Sequence, residues 1–243
     1  MKYFFKKAIV IVLLFSLSAC GQTLTTIEND HAGILLDDIY PDSTLVIATH
    51  TEYTRAHYLE RIKEFKENPL STNDIVFVGN SLTELGGDWG KRMNNPKIKN
   101  RGIGGDTTEG VLARLGELIY FKPRQIFILI GINDLFRDDM TSEKVFNNIL
   151  KIVNQIHDGS PKTKIYVQTI LPTTTVKLKE KIQLTNTLLI NSESTESYKL
   201  IPLHEHFATE NDLMDMNFSA DGVHLNENGY SIWVNKIISL IQL

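Results

Sequence analysis

The chain is poor in the residues on which several classes of protein depend. It has one cysteine in 243 residues, Cys20, so it can form no internal disulfide, no C-x-x-C redox pair and no cysteine-built zinc site. No run of Lys and Arg is interleaved with aromatics, and the net charge is −4, so the electrostatic footprint of a nucleic-acid binder is missing. Internal repeats and low-complexity blocks are also missing. The leading apolar run, residues 8–17, is too short to span a bilayer stably. What remains, 42% hydrophobic and 22% charged, is the composition of an ordinary globular protein with core enough for one large domain.

The N-terminus has its own pattern. Lys2, Lys6 and Lys7 flank a short aromatic patch, the apolar run follows, and small residues close it at Ser18, Ala19 and Cys20. This is the layout of an export signal. Leu17-Ser18-Ala19-Cys20 resembles the bacterial lipobox, in which the cysteine is diacylated and becomes the new N-terminus. Two acyl chains suffice for stable anchoring. On this reading residues 1–19 are a lipoprotein signal peptide, Cys20 is the lipidation site, residues 20–53 are a tether and N-terminal extension, and residues 54–243 are one domain. Loss of the leader removes three lysines and no acid, which takes the net charge to −7.

Past the tether, Tyr58, Ile62 and Phe65 recur at helical spacing, and then the pattern alternates. Strand-like apolar runs occur at 75–78, 97–100, 125–130, 164–168 and 198–202, the second of them weak. Amphipathic helical stretches lie at 108–120, 142–157, 177–192 and 227–241. Strand and helix in alternation predict a three-layer α/β/α sandwich on a five-stranded parallel sheet with right-handed crossovers. Ligands in such sheets sit at the carboxyl ends of the strands.

Four clusters fall where that rule points. Residues 74–87, D-I-V-F-V-G-N-S-L-T-E-L-G-G, carry a buried strand into a turn that delivers Ser81. Ser81 with Glu84 also fits a capping box for the next helix, so this segment alone leaves its role open. Residues 100–108, N-R-G-I-G-G-D-T-T, form a glycine turn that lets backbone N–H groups approach a ligand. A dinucleotide fingerprint would require glycine where Thr107 stands. Gly131-Ile132-Asn133-Asp134 sets an amide side chain just past the third strand-like run, placed as an oxyanion site requires. Asp221-Gly222-Val223-His224-Leu225 puts a carboxylate and an imidazole three residues apart, ahead of the last helix.

Together, V-G-N-S-L-T-E, N-R-G-I-G-G-D-T-T, G-I-N-D and D-G-V-H-L resemble the blocks of the SGNH, or GDSL-like, hydrolases. Within that superfamily the chain looks most like the branch of the intracellular platelet-activating factor acetylhydrolase catalytic subunits and many bacterial esterases. The resemblance covers about residues 74–240 and implies the flavodoxin-like strand order of that fold. It makes Ser81 the nucleophile, His224 its general base and Asp221 the acid that orients the histidine. It makes the Ser81 and Gly105 backbone N–H groups and the Asn133 amide the oxyanion hole, with Gly104 as an alternative to Gly105. The family usually has Asp before the nucleophile, where this chain has Asn80.

No cofactor or metal is implied. His204-Glu205-His206 offers donors, but alternate residues of an extended segment point to opposite faces. The functional expectation is an exported, lipid-anchored serine esterase that removes acetyl or another short acyl group, with a carbohydrate the favoured carrier. It would sit in the cell envelope, facing the periplasm or the cell surface. A lysophospholipase-type esterase, an acyltransferase on the same triad and an inactive binding lipoprotein are the alternatives. Residues 173–175 and the loop 207–219, with Met214, Met216 and Phe218, are expected to border the pocket.

Overall fold

A computed structural model describes residues 36–241. The expected signal peptide, residues 1–19, and Cys20 lie outside the described residues. Five strands, β1 (Ile75–Gly79), β2 (Ile98–Gly102), β3 (Gln125–Leu129), β4 (Lys164–Gln168) and β5 (Lys199–Ile201), form one sheet in the order β2-β1-β3-β4-β5, with every pair parallel. This is the expected flavodoxin-like order, with its switch point at β1 and β3.

The apolar runs are unbroken because both faces of the sheet are covered. Successive side chains alternate in direction. Val76, Val78, Ile126 and Ile128 face one layer, packing with Val111 and Leu118 of α4 (Thr108–Ala113) and α5 (Gly116–Phe121), Ile149 and Ile152 of α7 (Ser142–Gly159), and Ile182 of α8 (Lys179–Ser192). Ile75, Phe77, Phe127 and Leu129 face the other, against Trp89 of α3 (Trp89–Arg92) and Tyr230 and Trp233 of α9 (Glu227–Ile237). Rings stack across that face, Phe77 on Trp89 at 4.5 Å and on Phe127 at 5.0 Å, and Phe127 on Tyr166 at 4.6 Å. Each fully buried side chain of this size contributes about 1.5–3 kcal/mol, so the central strands are held firmly.

β2 is an edge strand, which explains its weak apolar signal. Arg101 on it is buried against Glu117, with Nε and Nη2 each 2.8 Å from a carboxylate oxygen. Glu117 also accepts the Tyr40 hydroxyl at 2.9 Å and the Leu70 N–H at 3.2 Å. A buried ion pair is costly to break from one side, by about 3–5 kcal/mol, because the partner is left charged and unpaired. The segment before α1 (Glu52–Glu67) takes part in this packing. Tyr40 and Ile47 sit with Tyr58, Ile62 and Phe65 of α1 and Ile103 past β2.

Three expected elements differ in detail. The stretch 108–120 is two helices, broken at Arg114 and Leu115, because Arg114 turns to a buried carboxylate and the Ile39 carbonyl lies where a side chain on Gly116 would stand. The helix expected from 177 begins as a 3₁₀ turn, Val176–Leu178, and the last helix ends at Ile237 and finishes in another, Ile238–Leu240. Four-residue helices at α2 (Ser81–Glu84), α3 and α6 (Ile132–Leu135) are too short to show a 3.6-residue period.

Candidate active site

At the end of β1 the chain turns in very little room. A Cβ on Gly79 would lie 2.3 Å from Thr83 Oγ1 and 2.4 Å from the Leu129 carbonyl, so only glycine fits. The next residue, Asn80, is the N-cap of α2, its Oδ1 accepting the Leu82 N–H at 3.0 Å. This corrects the capping-box alternative: Ser81 is the first helical residue, and its hydroxyl is free of capping. Its N–H belongs to the first turn, where a helix supplies no carbonyl.

The Ser81 Oγ instead meets His224 Nε2 at 3.0 Å, a pairing across 143 residues of chain. His224 Nδ1 is 2.7 Å from Asp221 Oδ2. The other carboxylate oxygen, Oδ1, accepts the Val223 and His224 N–H groups at 2.9 and 2.7 Å, which closes the loop into a tight turn. Because an ionised carboxylate only accepts, Nδ1 carries the proton and Nε2 turns its lone pair to the serine. These bonds, the His224 imidazole first among them, pull the Asp221 carboxyl down to about 2. Gly222 has φ +85, and Thr174 stands where its side chain would be and donates its N–H to the Gly222 carbonyl, so Thr174 buttresses the loop.

The expected oxyanion donors sit on the adjoining loops. Gly104 donates its N–H to Glu84 Oε2, so it is already engaged. Gly105, at φ +75, has no acceptor for its N–H among the described residues, and the Thr54 methyl lies 2.3 Å from where its Cβ would be. Of the two glycines, Gly105 is therefore the available donor. Asn133 Nδ2 gives one proton to the Asp106 carbonyl at 2.8 Å, which orients the amide and leaves the second proton to donate. Next to it, Asp134 is buried and accepts both the N–H and the hydroxyl of Thr108, tying α4 to α6. Burial pushes that carboxyl up to about 6 against the pull of the Thr108 bonds.

Several site residues carried no readable signal. Glu84 serves not as a cap but as an anchor, accepting from Gly104 and from His57 Nε2 at 2.9 Å. Its place in V-G-N-S-L-T-E was the one clue. His50 and Arg114 both reach Asp106, at 3.1 and 3.0 Å. His204 is engaged within the protein. It lies in a 3₁₀ turn rather than an extended segment, 2.7 Å from the Ile170 carbonyl and 2.8 Å from Asp212. Met214 is buried and Met216 exposed, while the Phe218 ring meets Phe207 at 5.9 Å, so this loop is part core and part surface.

Comparison with known proteins gives a consistent picture. The sequence profile of the GDSL-like Lipase/Acylhydrolase family matches residues 77–232. The human platelet-activating factor acetylhydrolase IB subunit alpha2 is 31% identical over 166 residues, which is 65% of this chain and 71% of that protein. Among solved structures, a GDSL-like lipase from Bacteroides thetaiotaomicron superposes with a TM-score of 0.65 at 21% identity, over 76% of this chain and 98% of that one. A catalytic mutant of an acetylxylan esterase from Geobacillus stearothermophilus gives a TM-score of 0.59 at 17% identity, over 70% and 94%. At such identities these two structures speak to the fold alone.

Proposed function

Because the chain belongs to the GDSL-like lipase/acylhydrolase family and is an ester hydrolase, we propose that it is an exported, lipid-anchored serine esterase that removes acetyl or another short acyl group from an oxygen ester. The observation that carries this reading is the chain of contacts from Ser81 Oγ to His224 at 3.0 Å and on to Asp221 at 2.7 Å, set at the carboxyl end of β1. Ser81 Oγ attacks the ester carbonyl as its proton passes to His224 Nε2. The carbonyl oxygen becomes an oxyanion and accepts from the Ser81 and Gly105 N–H groups and the Asn133 amide. His224 returns the proton to the departing alkoxide, and water repeats the sequence on the acyl-enzyme. Asp221 holds the tautomer and stabilises the imidazolium without taking the proton.

A relative named for an acetyl ester, the platelet-activating factor acetylhydrolase subunit, supports a short acyl group. A carbohydrate carrier suits an enzyme of the cell envelope that faces the periplasm or the cell surface. The test is acetate release by protein lacking residues 1–20. Acetylated xylo-oligosaccharides and p-nitrophenyl acetate are expected to turn over, and p-nitrophenyl palmitate at no more than a few per cent of the acetate rate. A preference for the long chain would refute the short-acyl reading.

Two further outcomes follow from the site. Asn133→Ala is expected to lower kcat/KM by about 10²–10³-fold with little change in thermal unfolding, since one oxyanion donor is worth that much. A loss under tenfold would remove Asn133 from the oxyanion hole. With its carboxyl at about 2, Asp221 stays ionised through the working range. Asp221 therefore adds no protonation of its own to the acid limb of log(kcat/KM), which is expected to keep unit slope, and a slope of two would show that Asp221 titrates there. The anchor has a separate check. Cys20→Ser should move the protein from the detergent phase to the aqueous phase on cloud-point partition, and unchanged partition would contradict lipidation.

A further inference from the structure

The segment ahead of α1 reaches the back of the proposed oxyanion site. His50 Nε2 lies 3.1 Å from Asp106 Oδ1, with its side chain 2% exposed and the carboxylate wholly buried. Asp106 connects both loop-borne donors. Its own N atom is in the peptide that follows Gly105, and its carbonyl accepts the Asn133 amide at 2.8 Å. The carboxylate is held from three other directions, by the Thr107 N–H at 2.9 Å and by Arg114 Nε and Nη2 at 3.0 Å each. Neighbours of His50 complete the brace. Thr49 Oγ1 meets Thr107 Oγ1 at 2.6 Å, and the Thr54 methyl fills the space beside Gly105. Tyr58 sets its ring edge-on to His50 at 5.1 Å and donates its hydroxyl to the Gly110 carbonyl.

The carboxylate can only accept, so His50 must present Nε2–H. Its Nδ1 is buried with no hydrogen-bond partner among the described residues. A buried ring nitrogen without a partner is a cost, and a histidine kept there is set for the one bond it makes.

We infer that His50 is a positioning residue for the oxyanion hole: through Nε2 it holds Asp106, and so fixes the peptide next to Gly105 and the carbonyl that aims the Asn133 amide. The inference rests on the proposed ester hydrolysis. Misplacing such donors by about an ångström weakens the transition state far more than the ground state, because the substrate carbonyl is held only loosely before charge develops.

The test uses the protein lacking residues 1–20. His50→Ala is expected to lower kcat for p-nitrophenyl acetate about 10–100-fold per folded molecule, with KM changed less than about threefold. Affinity for an alkyl trifluoromethyl ketone, which forms an oxyanion adduct on the serine, should fall by a similar factor. His50→Gln, whose Nε2 can take the place of the imidazole Nε2–H, should recover most of kcat, whereas the shorter His50→Asn should not. If His50→Ala does not fold, the Gln and Asn variants carry the comparison. Equal kcat in those two, or a loss confined to KM or to the folded fraction, overturns the inference. Ser81→Ala separates the two levels. If it keeps wild-type turnover, the esterase reading itself fails. If it is inactive while His50→Ala behaves as wild type, only the role of His50 fails.

Discussion

Ser81→Ala is expected to lower kcat for acetyl ester hydrolysis by about 10⁶-fold while leaving the fold intact. The reason is local. The hydroxyl takes no part in capping α2, which Asn80 does, and its one hydrogen bond among the described residues is with His224 at 3.0 Å. Removing it therefore deletes the proposed nucleophile without loosening the turn. His224→Ala should cost about as much, and the double variant little more than either alone, because the two groups act as one unit. Thermal unfolding of Ser81→Ala should stay within about 1 kcal/mol of wild type, as expected where no cavity or orphaned polar group is created. Strictly additive losses in the double variant would mean that the serine and histidine work independently.

Asp221→Asn is the second large effect, expected at about 10³–10⁴-fold in kcat. The two carboxylate oxygens do different work. Oδ1 accepts the Val223 and His224 N–H groups, and Oδ2 faces His224 Nδ1 at 2.7 Å. An asparagine must keep its oxygen on the two amides, which turns its NH₂ toward Nδ1. The imidazole is then forced into the opposite tautomer, with Nε2–H aimed at a serine whose proton it should take. The loop survives and the base is lost, so KM and unfolding temperature should change little. Wild-type kcat in this variant would show that Asp221 only shapes the turn.

How much of this was legible along the chain depends on the range of each interaction. β1 and β3 could be read because both faces are buried, which leaves unbroken apolar runs such as Ile75 to Val78. β2 was faint because it is an edge, and its Arg101 is satisfied by Glu117, 16 residues on, which no local pattern reveals. Ser81, Gly105, Asn133, Asp221 and His224 each lie in a short motif at the start of a helix or in the loop ahead of one, and the structure brings Ser81, His224 and Asp221 into contact. Their supports were hidden for the opposite reason. His50 meets Asp106 across 56 residues, and Glu84 reaches Gly104 across 20, so the first gave no local signal and the second read as a cap. The break at Arg114 was invisible as well, because helical periodicity carries through a one-turn interruption, and only the buried Asp106 explains why the guanidinium turns inward.

The most direct measurement is the structure of the protein after reaction with ethyl p-nitrophenyl methylphosphonate, which leaves a tetrahedral phosphorus and a fixed oxyanion-like oxygen on the nucleophile. The expected result is a single covalent bond to Ser81 Oγ, with the phosphoryl oxygen about 3 Å from the Gly105 N–H and from Asn133 Nδ2, and with His224 still bound to Asp221. An adduct on another residue, or an oxygen turned away from both donors, would contradict the account.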